Sequence, residues 1–445
     1  MGKTILLLFA VLLIIYSTAR LKLHPFLALL FAAFGFGILS GMPLQQVVDS
    51  INQGFGGTIG SIGIVILFGT IIGIFLERSG GAYTMAESLL KITGRHNVPL
   101  AMALAGYLVS IPVFCDSGFV ILSPLNKALA KKSRVTLASC AVALGLGLYA
   151  SHTLVPPTPG PVAAAGILKA DVGLVILFGM ITGLFALLAS WLFATGWAAR
   201  VSIDPEPELD EYEMVRRTRE APPAALSFLP LVIPILLIVL GSAAAYPTHP
   251  FGEGRWHSFL LFTGTPMVAL LTGVLIAFFL PRRWDSSMFS TTGWVGEAVV
   301  NAAIIITITG AGGAFGKVLQ NSGIAEVVGK PLAEWHLGIW IPFLMAAAIK
   351  TAQGSSTVAL ITTASLSAPL LASFGVASPA QTALCVVMIG AGSMVISHAN
   401  DSYFWVVTQF SKMDVAMGYQ LHSLGTILEG FTAGIVVWFL FTFIV

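Results

Sequence analysis

Apolar runs of about the length that crosses a bilayer, roughly 20 residues, succeed one another along the whole chain. They fall near residues 4–19, 25–42, 60–77, 98–125, 135–168, 171–198, 224–245, 258–280, 297–319, 338–371, 379–410 and 421–445. Hydrocarbon gives a backbone N–H or C=O no partner, so runs of this kind are read as helices. The chain is 56% hydrophobic and 9% charged, where a soluble domain carries about 25% charged residues, and the fold class is therefore an all-α polytopic membrane protein. The first run follows Lys3, lacks a small-residue cleavage site and is closed by Arg20 and Lys22, so it is expected to be a retained span. A net charge of +2 gives no sign of a nucleic-acid partner. Cys115, Cys140 and Cys385 lie in apolar or small-residue runs and have neither disulfide nor metal-ligand spacing.

The apolar pattern contains itself twice. Phe75-Leu76-Glu77-Arg78-Ser79-Gly80-Gly81-Ala82 returns as Val318-Leu319-Gln320-Asn321-Ser322-Gly323-Ile324-Ala325 at an offset of 243, and Ser151-His152 returns as Ser397-His398 at 246. Gly183, Trp191 and Thr195 return as Gly430, Trp438 and Thr442 at 247. The domains expected are a membrane repeat over 1–198, a polar cytoplasmic linker over 199–223 and a second repeat over 224–445. Two such halves, each with an interrupted polar segment in the matching place, have the sequence form of a secondary transporter.

Two runs in each half are interrupted. Run 98–125 holds Pro112, Asp116-Ser117-Gly118 and Pro124, and run 338–371 holds Lys350 and Gln353-Gly354-Ser355-Ser356-Thr357; both are expected to be re-entrant hairpins. Runs 135–168 and 379–410 are broken at 151–161 and at Ser397-His398-Ala399-Asn400-Asp401-Ser402. Irregular backbone survives at membrane depth only beside protein or a wet cavity. Five spans and one hairpin per half force the second half to insert upside down. With both termini outside, 16 of the 22 Lys and Arg fall on the cytoplasmic side: Arg20, Lys22, Arg78, Lys91, Arg95, Lys127, Lys131, Lys132, Arg134, Arg200, Arg216, Arg217, Arg219, Arg282, Arg283 and Lys412. Stretches 82–92 and 325–336 have helical spacing suited to arms lying on the membrane surface. Gly69-x-x-x-Gly73 and Gly310-Ala311-Gly312-Gly313 are read as close-packing sites.

Helices that meet at an apex present free N–H groups and the positive ends of their dipoles, which suit an anion. Ser117, Gln353, Ser355, Ser356, Thr357 and Asn400 are expected to orient a carboxylate bearing hydroxyls, with Gly118 and Gly354 allowing close backbone approach. Asp116 is an intramembrane carboxylate and the first choice for proton coupling, against capping of the second hairpin helix. His152, His398 and Asp401 stand behind it, each either a substrate-site or relay group or a packing residue, Asp401 also as a sodium ligand. Lys350 is left open between neutralising the substrate, pairing with an aspartate and reaching an interface. No nucleophile and base pair, phosphate loop or zinc spacing supports an enzyme.

Phe114-Cys115-Asp116-Ser117-Gly118-Phe119, Ser151 through Pro161, Gln353 through Thr357 and Ser397 through Ser402 resemble the gluconate permease (GntP) family, in order and over essentially the whole length. The resemblance implies a bacterial inner-membrane symporter that imports gluconate or a related acid with protons, and kinship to an ion transporter superfamily of inverted halves and elevator-type movement. It also admits idonate, fructuronate, glycerate or D-serine as substrate. No cofactor beyond the coupling proton is expected, and a homodimer in membrane lipid whose scaffold is formed by the first spans of each half. A sodium-coupled carboxylate carrier and an anion channel are the rivals.

Overall fold

The computed structural model describes residues 2–93, 97–205, 221–245, 251–324, 327 and 337–443. Among these, every regular element is helical. The first series is α1 (Gly2–Ala19), α2 (Pro25–Leu39), α3 (Leu44–Arg78), α4 (Gly81–Thr93), α5 (Val98–Val109), α6 (Cys115–Ser133), α7 (Leu137–Leu154), α8 (Pro159–Leu168) and α9 (Val172–Gly196). The second is α10 (Ala224–Ala244), α11 (Arg255–Gly264), α12 (Pro266–Ala277), α13 (Trp294–Asn321), α14 (Trp340–Gln353), α15 (Ser356–Ser367), α16 (Pro379–Ser393), α17 (Ser402–Phe410) and α18 (Val415–Phe443). Seven helical stretches are long and apolar enough to cross a membrane, or up to eight counting one bent pair. The chain is a multi-pass membrane protein.

The sequence explains where the long helices stop. Both α3 and α13 end at a Ser-Gly pair, with Ser79 and Ser322 as caps and Gly80 and Gly323 in the left-handed region at φ 81° and 70°. A side chain would strain that conformation, and glycine does not. These two helices pack along each other more extensively than any other pair. Gly54 sits against the Gly313 carbonyl, and the Arg78 guanidinium donates to both Glu297 oxygens at 2.8 and 2.9 Å. Outside this pair, α1, α9 and α18 turn large apolar residues outward, among them Leu8, Leu12, Leu184, Leu188, Ile435 and Phe439. In hydrocarbon those faces need no cover, so association of the helices rests on close packing and polar contacts instead.

A second group forms the centre. Every residue of α7 is buried, as is α16 from Ala383 to Ser393. The limbs of the two halves cross: α15 packs on α8, and α17 packs on α6. Gly160 at the start of α8 lies against Leu360 and Thr357 of the other half.

Several sequence boundaries shift. The run 60–77 is the end of a helix that begins at Leu44. Run 258–280 is not one simple span, since α11 and α12 meet at a 70° bend beside Thr265-Pro266, where proline cannot donate to the preceding turn. In the first hairpin the apex is Ser110–Phe114, and α6 runs through Asp116, Ser117, Gly118 and Pro124; one internal proline costs a single hydrogen bond that neighbouring groups tolerate in a membrane helix. Ser151 and His152 still belong to α7, and the break is Val155–Thr158. Stretch 82–92 is helical in α4, with Ala82, Tyr83, Met85 and Ala86 buried. Stretch 325–336, apart from residue 327, lies outside the described residues, as does most of the 199–223 linker.

Candidate functional site

Three helix N-termini converge on one cavity of about 280 Å³. Phe114, Cys115 and Asp116 come from the start of α6, Ser355, Ser356 and Thr357 from the start of α15, and Asp401, Ser402 and Tyr403 from the start of α17. Tyr149, His152, Gln353, Gly354 and Asn400 complete the wall. The volume is just below the range typical of drug-sized ligands, so it suits a small solute. First-turn N–H groups with no partner carry partial positive charge. Phe114 gives α6 no side-chain cap, whereas Ser355 accepts from the Val358 N–H.

The second hairpin tip is tied to the second helix break. Lys350 Nζ donates to Asp401 Oδ2 and to the Gly354 carbonyl, both at 2.5 Å, and the ammonium is fully buried. Asp401 Oδ2 also accepts from Ser397 Oγ at 2.6 Å, and Oδ1 accepts from the Tyr403 N–H at 3.0 Å. Removing two charges from water is costly, and good geometry with further hydrogen bonds offsets it. Helix ends help here, because Lys350 stands in the last turn of α14 and Asp401 caps the start of α17. His398 Nε2 and Asn400 Nδ2 both donate to the Thr351 carbonyl, at 2.8 and 2.9 Å. Gly354 has φ 95°, and a Cβ there would fall on the Asn400 carbonyl. Lys350 therefore pairs with an aspartate, one of the roles its sequence position allowed.

The first tip is different. Asp116 faces Ser402 across the cavity, and its Oδ1 is buried with no hydrogen-bond partner among the described residues. It stands in the first turn of α6, where its carboxylate meets its own backbone N–H, and it has no ion pair among the described residues. His152 has a buried, unpartnered Nδ1 and packs against Phe114 at 6.0 Å between ring centroids. Behind the cavity, Tyr149 and Tyr403 stack at 5.3 Å, Tyr403 Oη donates to the Gly145 carbonyl, and Lys350 lies 5.9 Å from the Tyr149 ring centre.

Most residues singled out from sequence therefore meet at one place. Three do not line it. Ser117 faces Glu77 at the end of α3, Gly118 is pressed against Leu148 of α7, and His398 is engaged with Thr351. Residues 117 and 118 lie on other faces of α6 than Asp116, since neighbours on a helix point about 100° apart. Tyr149 and Tyr403 also line it, and aromatic residues in apolar runs carry no signal that separates a cavity wall from packing; Phe114, Cys115 and Ser402 line it too, standing in the quoted motifs without a site role of their own. A larger cavity of about 800 Å³ lies between α3, α13 and the end of α8, with Gln53, Thr58, Lys169 and Lys317 on its walls. None of the tip residues reaches it, and the smaller cavity is where the chemistry gathers.

Comparison with known proteins agrees with the motifs. Residues 3–444 match the GntP family permease profile. A Haemophilus influenzae protein described as an uncharacterized permease is 38% identical over 91% of this chain and 84% of its own length. A Pseudomonas aeruginosa gluconate permease is 35% identical, covering 91% and 89%, and an Escherichia coli D-serine transporter is 31% identical, covering 96% and 95%. The solved YdaH transporter of Alcanivorax borkumensis superposes with a TM-score of 0.65 over 95% of this chain and 99% of that one, at 14% identity. That last likeness concerns the fold alone.

Proposed function

The chain belongs to the GntP family of permeases and is a membrane transporter, and from that premise we propose that it imports gluconate or a related sugar acid together with protons. The observation that carries this is the convergence of three helix N-termini around a small cavity in which Asp116 has a buried oxygen, Oδ1, with no partner among the described residues. The substrate carboxylate takes the N–H groups at the starts of α6 and α15, and its hydroxyls meet Ser355, Ser356, Thr357, Ser402 and Asn400. Asp116 takes up the coupling proton, which lets the loaded site move without a bare charge at membrane depth.

In this proposal residues 1–198 and 224–445 are oppositely inserted halves joined by a cytoplasmic linker at 199–223, with both termini outside the bacterial inner membrane. Helices α5–α9 and α14–α18 move as one block in elevator fashion against a dimeric scaffold around α3 and α13. The bonds from Lys350, His398 and Asn400 support a block that moves as a unit.

Uptake of labelled gluconate into proteoliposomes separates proton coupling from sodium coupling. An inward proton gradient drives accumulation and an inward sodium gradient alone does not; the reverse result makes this a sodium-coupled carrier. A D-serine specificity is the alternative substrate class, since an ammonium group would take Asp116 as its counter-ion. Thermal stabilisation of the purified protein across aldonates, uronates, glycerate and D-serine decides between them.

A further inference from the structure

His422 belongs to no part of the cleft. It is fully buried and sits in a π-helical turn, Tyr419–Ser423, within α18, a local widening that recurs at functional positions. Its ring is linked to the Lys350–Asp401 pair through one hydroxyl. Ser397 Oγ has a single hydrogen and lies 2.6 Å from Asp401 Oδ2, an oxygen that only accepts, so the hydrogen is committed to the carboxylate. The 3.2 Å contact between Ser397 Oγ and His422 Nε2 is then a hydrogen bond only with the proton on Nε2. A neutral ring protonated there has a bare lone pair at Nδ1, and Nδ1 is buried with no partner among the described residues. Such an unmet acceptor inside a protein is costly unless it is used.

We propose that His422 relays a second proton, beside the one taken by Asp116, to Asp401 and thereby frees the Lys350 charge to attract the substrate anion; this rests on the proton-coupled uptake proposed above. A proton arrives at Nδ1, the Nε2 proton passes to Ser397 Oγ, and the Ser397 hydrogen passes to Asp401 Oδ2. One N–H bond forms and another breaks, the hydroxyl exchanges one hydrogen for another, and the net change is a neutral Asp401 beside a ring now protonated at Nδ1. Lys350, having lost its counter-ion, then lends its charge from behind Asp401 to the substrate carboxylate held at the starts of α6 and α15, so this proton and the anion load together. The charged groups acting on the ring are Asp401 and Lys350. Tyr149 of α7 lies 6.5 Å from it, and Tyr403 and Phe404 of α17 lie 5.4 and 6.3 Å from it. Glu429, about two turns further along α18, is buried, accepts from Ser190 of α9 at 3.1 Å and has its Oε2 unpartnered. It is the acidic group that shares this helix with the relay.

The test uses the full chain in proteoliposomes with gluconate as probe. His422→Gln keeps an N–H for Ser397 but cannot pass a proton, so proton-driven accumulation falls by about a hundredfold while gluconate exchange at equal pH is far less affected. Ser397→Ala removes the intermediate and gives the same split, and it carries the test should the first variant fail to fold. An indicator dye in unbuffered solution shows the Asp116→Asn variant still taking up a proton as gluconate binds; gluconate binding to that variant with no proton uptake overturns the relay and leaves Asp116 as the coupling group. Proton-driven accumulation within about twofold of the parent in both variants also overturns it and leaves proton symport standing. A parent that does not respond to a proton gradient removes both proposals.

Discussion

At the C-terminal crossing, where the tip between α14 and α15 meets the break between α16 and α17, side chains do the joining. Lys350 holds Asp401 and the Gly354 carbonyl, while His398 and Asn400 hold Thr351. At the N-terminal crossing the tip Ser110–Phe114 and the break Val155–Thr158 are held mainly by backbone packed on glycine. Gly73 of α3 lies against the Pro112 carbonyl and Gly69 against Pro157, while Asp116 and His152 keep unpartnered polar atoms. The two crossings thus differ in what holds them. The C-terminal crossing, where Asn400 Oδ1 is the unpartnered atom among the joining groups, is tied by its ion pair and donors and so is the more rigid, whereas the proposed function gives the unmet groups of the other to a proton and a substrate.

Four substitutions test that division, in descending order of effect. Lys350→Met strands the Asp401 charge and costs about 3–5 kcal/mol of stability, seen as a large drop in melting temperature and loss of transport. The Lys350→Met/Asp401→Asn double variant recovers part of the melting temperature. Unchanged melting of the single variant would mean the C-terminal crossing is not the rigid one. Gly354→Ala forces a side chain into a left-handed residue facing the Asn400 carbonyl and costs about 1–3 kcal/mol, with reduced gluconate binding by thermal shift. Asp116→Asn, on the open crossing, shifts stability by less than about 1 kcal/mol yet abolishes gradient-driven accumulation while sparing exchange. Accumulation at normal strength would remove Asp116 from coupling. Ser117→Ala, beside Asp116 in sequence but turned to Glu77, changes the gluconate KM by less than about twofold.

The same contrast governs how much could be read from the chain. Prolines, glycines and clustered polar residues stand out against an apolar background, so the second tip, both breaks and most of the cavity wall are legible, while the first apex, Ser110–Phe114, lies just before the Asp116-Ser117-Gly118 that marks it in sequence. What failed was direction around a helix axis. Asp116, Ser117 and Gly118 form one phrase in sequence, and they point to a cavity, to Glu77 and to Leu148. The partner of Lys350 lies 51 residues away, and local spacing leaves its role open. Glu429 obeys the same rule that marked Asp116, a lone carboxylate in a spanning segment, and could have been singled out on that ground. His422 could not, since its significance lies in Ser397, on a different segment.

The contacts that Gly69 and Gly73 make with Pro157 and Pro112 have a mechanical consequence. Where α3 meets these two turns it has no side chain, so each turn seats directly on the helix backbone. A methyl at either glycine would push its turn away from the helix, so the fit of both turns depends on two side chains that are missing.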